Sequence, residues 1–186
     1  MTESGGGNIS GVVRAQLNPI GDERGAFMEL WRASATDAAG ATFRQANLSR
    51  SQPRVLRGMH FHDRQLDLWI VLSGRASVAL VDLRVRIDGR GGALPTEEFE
   101  LTAGGSVLIP KRVAHGFLAM EALELLYLVT NEYDGTDEHG FGWSDPAVGL
   151  SWPISDPIVS SRDASNPSVE TAIEAANQRD ALLRSR

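Results

Sequence analysis

Val55-Leu56-Arg57-Gly58-Met59-His60-Phe61-His62 is the stretch on which the fold turns. Apolar and aromatic residues dominate it, a glycine interrupts it and turn-forming residues bound it, which reads as a strand over residues 54–62. Side chains alternate between the two faces of a strand, so His60 and His62 share one face. The same texture extends in both directions. Short strands are expected over residues 12–17, 26–31, 68–72, 77–85, 97–101, 106–109, 116–120 and 123–130. Turn markers separate them at Gly21-Asp22, Ser73-Gly74, residues 89–92, 103–105 and 131–135. Many short strands with this punctuation point to a sandwich or barrel rather than to βαβ units.

The remainder fits around such a body. Residues 1–10, polar and glycine-rich, read as a disordered tail. Residues 33–41 read as a short helical turn. Residues 140–167, rich in Pro, Ser and Asp, read as an ordered loop wrapping the surface. Residues 168–183 read as a helix with Ser168 as N-cap and Glu170 in its first turn. The expected organisation is a tail (1–10), one barrel domain with its wrapping loop (11–167) and a C-terminal helix (168–186).

Composition narrows the function. A chain of 186 residues with 42% hydrophobic and 23% charged residues suits one soluble domain. Absence of cysteine excludes disulfides and thiolate metal sites. The net charge of −6 and pI near 5.2 argue against nucleic acid as a partner, because binding a polyphosphate takes a basic face. A small anion is still accessible to a few convergent arginines. Neither a signal-peptide core nor an apolar run of about 20 residues is present. A cytoplasmic protein with no membrane partner is the expectation.

The histidines carry the chemistry. His60 and His62 are followed by Asp67 and Gly74; a second block runs from Gly104-Gly105 through Pro110 to His115. These two blocks resemble the paired motifs of the cupin superfamily, with Asp67 where a glutamate is usual. The resemblance implies an all-β fold: a cupin-type double-stranded β-helix, or jelly-roll barrel, with a short C-terminal helix. In that fold His60, His62, Asp67 and His115 form a three-histidine, one-carboxylate set suited to Fe(II), Mn(II), Ni(II) or Zn(II).

A more detailed resemblance spans residues 21–167. Its marks are Gly21-Asp22-Glu23-Arg24-Gly25 with Phe27 and Glu29, then Gln45-Ala46-Asn47-Leu48-Ser49, then Val55-Leu56-Arg57-Gly58-Met59-His60-Phe61. Further on come Val81-Asp82-Leu83-Arg84, Ala114-His115-Gly116-Phe117, Leu126-Tyr127, the run from Trp143 to Pro153, and Ser161-Arg162-Asp163-Ala164. In this order and spacing the chain resembles the dTDP-4-dehydrorhamnose 3,5-epimerase family. The resemblance implies a homodimeric isomerase, without cofactor, that epimerises a nucleotide-linked 4-keto-6-deoxy sugar at C3 and/or C5. It makes His60 the base, Asp163 the group that orients its ring, and Tyr127 the proton donor. It also implies that Arg24 and Arg57 hold diphosphate or sugar, and that Glu29, Gln45, Asn47 and His115 complete the pocket.

Two departures keep a second reading open. The family pattern leads one to expect a glutamine after His60-Phe61 and, a few residues on, a lysine that stabilises the enolate oxygen. Here His62 and Asp67 stand instead. The alternative is therefore a metal-dependent cupin enzyme (oxygenase, lyase or cyclase) holding one divalent transition metal on His60, His62, Asp67 and His115. A barrel that binds without turnover is a third possibility. The first two collide at one atom, since a ring nitrogen that ligates a metal cannot also accept a proton. Without the family pattern, Tyr127 reads as core within residues 125–129, Asp163 as a turn cap and Arg24 as a loop ion pair.

Overall fold

The computed structural model describes residues 2–3, 8–35, 41–87, 89–133 and 135–185. Its first strands are β1 (Thr2–Glu3), β2 (Val13–Gln16), β3 (Ile20–Asp22), β4 (Gly25–Phe27), β5 (Gln45–Ser51) and β6 (Leu56–Phe61). Then come β7 (Asp67–Ser73), β8 (Arg75–Asp82), β9 (Thr96–Thr102), β10 (Gly105–Ile109), β11 (Val113–Ala119), β12 (Leu123–Val129) and β13 (His139–Gly140). Helices are α1 (Arg84–Ile87), α2 (Ser161–Ala164) and α3 (Val169–Arg184).

Two antiparallel sheets face each other, one in the order β1-β2-β10-β7-β12-β5 and the other β13-β6-β11-β8-β9. This is the jelly-roll architecture expected from the sequence. Between the sheets, Trp69, Val71, Val78, Leu80, Val107 and Leu125 close one end of the barrel with apolar side chains. A second core covers the outer face of the smaller sheet, where Met59, Phe61 and Val81 pack against Val169, Ala172, Ile173 and Ala176 of α3. β11 is consequently buried along its whole length, as a strand covered on both faces must be.

Several expectations need correction. Of the expected tail, residues 1 and 4–7 lie outside the described residues. Its other parts are built in: Thr2–Glu3 pairs with β2, and Ile9 is buried with its N–H donating to Glu97 Oε1 at 2.6 Å. The helical turn expected over 33–41 is a 3₁₀ turn at Ala33–Ala35, with residues 36–40 outside the described set. The strand expected over 26–31 stops at Phe27, because β3, its one pairing partner among the described residues, is itself three residues long. The strand expected over 77–85 stops at Asp82, whose carboxylate accepts from the Arg84 N–H at 3.0 Å and turns the chain into α1. β5 was not expected at all; its pocket-side residues are polar, so the apolar alternation that marks a half-buried strand is missing.

The C-terminal helix is as expected. Ser168 Oγ accepts from the Thr171 N–H and caps α3. An ion-pair network ties this helix to the barrel mouth. Arg112 donates to Asp63 Oδ1 at 3.0 Å and to Asp180 Oδ2 at 2.9 Å, while Arg179 donates to Asp63 Oδ2 at 2.7 Å. Asp63 directly follows His62, so the network also fixes the end of β6. The hydrogen bond from Arg112 holds the Asp180 carboxyl below its ordinary value. A carboxylate depressed in this way stabilises the fold at pH values above the unfolded pKa of about 3.9, and that contribution is lost as pH falls through the lower folded value. Asp180→Asn should therefore cost about 1–2 kcal/mol at neutral pH. Urea melts from pH 7 down to acid should also show the variant and parent converging below about pH 4.

Candidate active site

The polar end of the barrel opens into a cavity of about 470 Å³. Local backbone geometry at Gly58 decides what points into it. His115 pairs with His60 and Phe117 with Arg57, so two steps along β11 match three along β6. The extra residue is a bulge, and it turns both Arg57 and His60 toward the cavity where simple alternation would separate them. Gly58 has φ +140°, and a Cβ there would lie 2.6 Å from Gly116 Cα. Only a glycine at 58 permits this approach of β6 to β11.

His60 Nε2 lies 2.7 Å from Asp163 Oδ1. The carboxylate is buried, at 4% exposure, and its Oδ2 also accepts from the Gly58 N–H at 3.4 Å. Asp163 is placed by α2, whose N-cap Ser160 accepts from the Asp163 N–H through Oγ at 3.0 Å. Burial pushes this carboxyl up, but the hydrogen bond and charge of His60, with Gly58 and Ser160, outweigh it and hold it below its ordinary value. An ionised carboxylate accepts only, so it takes the Nε2–H and leaves the His60 lone pair on Nδ1.

Tyr127 stands on β12, in the sheet opposite β6, and lines the same cavity. Burial pushes its phenol up; the charge of Arg57 opposes this, while Asp67 and Glu138 add to it. The phenol therefore keeps its proton at neutral pH. Gln45 and Asn47 project inward from β5, joined by a 2.8 Å hydrogen bond. Arg57, at the rim, donates to Ser51 Oγ at 3.1 Å and has no carboxylate partner among the described residues.

The structure gathers His60, Asp163, Tyr127, Arg57, Gln45, Asn47 and His115 around one cavity. Two expected members are elsewhere. Arg24, 84% exposed, pairs with Asp22 on the β3–β4 hairpin, and Glu29 pairs with Arg32. The hairpin lies outside the sheet pair that encloses the cavity, so within one chain neither residue reaches it. The metal set is also revised. His62, Asp67 and His115 converge, whereas His60 is turned to Asp163 and is not among them. Burial lifts Asp67 to about 6, against the charge of His62 and a hydrogen bond from Gln65. Burial, with His62 and His60 alongside, holds His115 well below its ordinary value.

Sequence reasoning missed the segment around Asp137. Its carboxylate accepts from the Asp63 and Arg64 N–H groups at 2.8 and 3.0 Å, and its carbonyl accepts from His62 Nδ1. An acidic residue in a polar loop gives no sign of this in one dimension.

A jelly-roll barrel with a histidine–carboxylate pair facing a protonated tyrosine across an open pocket defines an enzyme of proton-transfer chemistry. Comparison with known proteins gives the particular family. The family model described as dTDP-4-dehydrorhamnose 3,5-epimerase matches residues 7–171. The spore coat polysaccharide biosynthesis protein SpsL of Bacillus subtilis is 35% identical over 150 residues, covering 77% of this chain and 96% of its own. The dTDP-4-dehydrorhamnose 3,5-epimerase of Salmonella typhimurium is 34% identical over 175 residues, covering 89% and 94%. Among solved structures, the rmlC epimerase of Mycobacterium tuberculosis superposes with a TM-score of 0.83 at 27% identity, over 95% of this chain and 92% of that one. The chain belongs to the dTDP-4-dehydrorhamnose 3,5-epimerase family, and it is an isomerase.

Asp163→Asn preserves shape but offers Nε2 an amide in place of an acceptor-only carboxylate. Its epimerase turnover number should fall by about 10²–10⁴ with little change in KM, as steady-state kinetics will register.

Proposed function

We propose that this enzyme epimerises a dTDP-linked 4-keto-6-deoxy sugar at C3 and/or C5. The observation that carries this is the 2.7 Å contact of His60 Nε2 with buried Asp163, which leaves Nδ1 as a base. A carbon beside a ketone is acidified because the electron pair released on deprotonation delocalises onto the carbonyl oxygen as an enolate. His60 Nδ1 takes that proton, and Asp163 stabilises the imidazolium formed. Tyr127 delivers a proton from the opposite wall of the cavity, so the carbon is reprotonated on its other face and its configuration inverts. Arg57, without an internal counter-charge among the described residues, is suited to the diphosphate, and Gln45 and Asn47 to sugar hydroxyls.

The working unit in this reading is a homodimer. The β3–β4 hairpin exposes Ile20 and Phe27, at 74% and 68%, beside Arg24. Burying those side chains against a second copy removes an apolar liability and gives Arg24 and Glu29 a place near a pocket. An anionic diphosphate does not cross a bilayer unaided, so the enzyme belongs in the cytoplasm; no helix among the described residues is long and apolar enough to span a membrane.

Incubation with dTDP-4-keto-6-deoxyglucose in deuterated water should place solvent deuterium at one or both α carbons. His60→Ala should abolish the label. Tyr127→Phe should keep exchange while losing inversion, because His60 then returns the proton to the face it left. Unlabelled sugar recovered from the parent enzyme would refute the assignment.

A further inference from the structure

Gln45 and Asn47 share the cavity face of β5, and their amides are ordered in one direction. The Tyr133 N–H donates to Gln45 Oε1 at 2.9 Å, and Gln45 Nε2 donates to Asn47 Oδ1 at 2.8 Å. A backbone N–H only donates, so Gln45 must turn its oxygen to Tyr133 and its nitrogen to Asn47. Asn47 must answer that nitrogen with its oxygen. Its Nδ2 is left over, with two hydrogens and no acceptor among the described residues, on a side chain that lines the cavity. The relay thus begins at a fixed backbone donor and ends on a donor-only group that faces substrate.

Position gives that donor a target. Asn47 pairs across the strands with Tyr127, so the two stand in one row on the wall opposite His60. Residues paired in this way hold their Cβ atoms about 4.5–5.5 Å apart, which sets the Asn47 amide at the depth of the proton transfer. Sugar hydroxyls both donate and accept, so the polarity of an amide is indifferent to them. A ketone oxygen only accepts. When His60 Nδ1 takes the α proton, the electron pair of the C–H bond delocalises onto that oxygen as enolate. A donor already aimed there binds the enolate more strongly than the ketone, which lowers the barrier. Other cations are engaged or distant. Arg64 and Arg162 pair with Asp137 and Glu138, Arg57 stands at the rim, and the chain's one lysine, Lys111, does not line the cavity.

We infer that Asn47 is a catalytic residue whose Nδ2 stabilises the enolate oxygen, and that Gln45 is the positioning residue that fixes its polarity. One Nδ2 hydrogen serves the ketone oxygen and the other a neighbouring hydroxyl. This assignment rests on the epimerase reading.

The test combines steady-state kinetics, solvent-deuterium uptake from dTDP-4-keto-6-deoxyglucose, and calorimetric titration with dTDP, which carries no ketone. Asn47→Ala should lower kcat and kcat/KM together by about 10²–10³ and slow deuterium uptake in proportion. Its affinity for dTDP should match that of the parent. Gln45→Glu still accepts from Tyr133 but offers Asn47 an acceptor where a donor stood, so the Asn47 amide rotates and turns Oδ1 toward the ketone. Its kcat should fall in the parent background and scarcely further in the Asn47→Ala background, as expected of residues acting as one unit. Should circular dichroism show Asn47→Ala to be unfolded, Asn47→Ser takes its place. Deuterium uptake by Asn47→Ala at the parent's rate, or a loss confined to KM, overturns the assignment and spares the epimerase. An equal loss from Gln45→Glu in both backgrounds overturns the relay, because the added charge then acts without Asn47. Absence of uptake in the parent sinks the epimerase reading and the assignment together.

Discussion

The hydrogen bond between His60 and Asp163 is the constraint around which this molecule is arranged. Its partners are 103 residues apart in the chain and belong to different layers. One side needs the bulge at Gly58, which depends on two glycines meeting across β6 and β11. The other needs α2, held by its Ser160 cap at the end of the wrapping loop. What results is a ring with one nitrogen committed to a buried carboxylate and the other available to substrate. Proton abstraction from carbon, the step proposed for His60, requires just that division of labour.

Burial on both faces of the smaller sheet makes the arrangement rigid. Along β6, Met59 and Phe61 enter the apolar layer beneath α3 while His60 looks into the cavity. Displacing the ring means displacing packed neighbours on the far side of the sheet, which close-packed interiors resist. The Arg112–Asp63–Arg179–Asp180 network pins the point where β6 ends, and the loop around Asp137 clips over the same point. Elements remote from the chemistry thus set the aim of His60 and His62.

Much of this was legible in the sequence. β6, β7, β10 and β12 announce themselves by β-branched and aromatic runs between turn residues, and α3 by Ser168 and its helical pattern. The shared face of His60 and His62 follows from strand geometry. β5 was illegible as a strand, because Gln45, Asn47 and Ser49 line the cavity rather than a core; only the family resemblance picked out two of them. Period-two reasoning also fails at Gly58, where a bulge reverses the parity between Arg57 and His60. Whether His60 belongs with His62 or with Asp163 is a question of distant contacts, which spacing cannot answer. Arg24 illustrates the opposite case: within one chain it is the loop ion pair that local sequence describes.

The central claim is a tautomer, and nitrogen-15 NMR of the imidazole rings reads it directly. In neutral to alkaline buffer, the account predicts that His60 carries its proton on Nε2, with a hydrogen-bonded N–H resonance that disappears in Asp163→Ala. A His60 ring protonated on Nδ1, or one exchanging between both nitrogens unaffected by loss of Asp163, would contradict it.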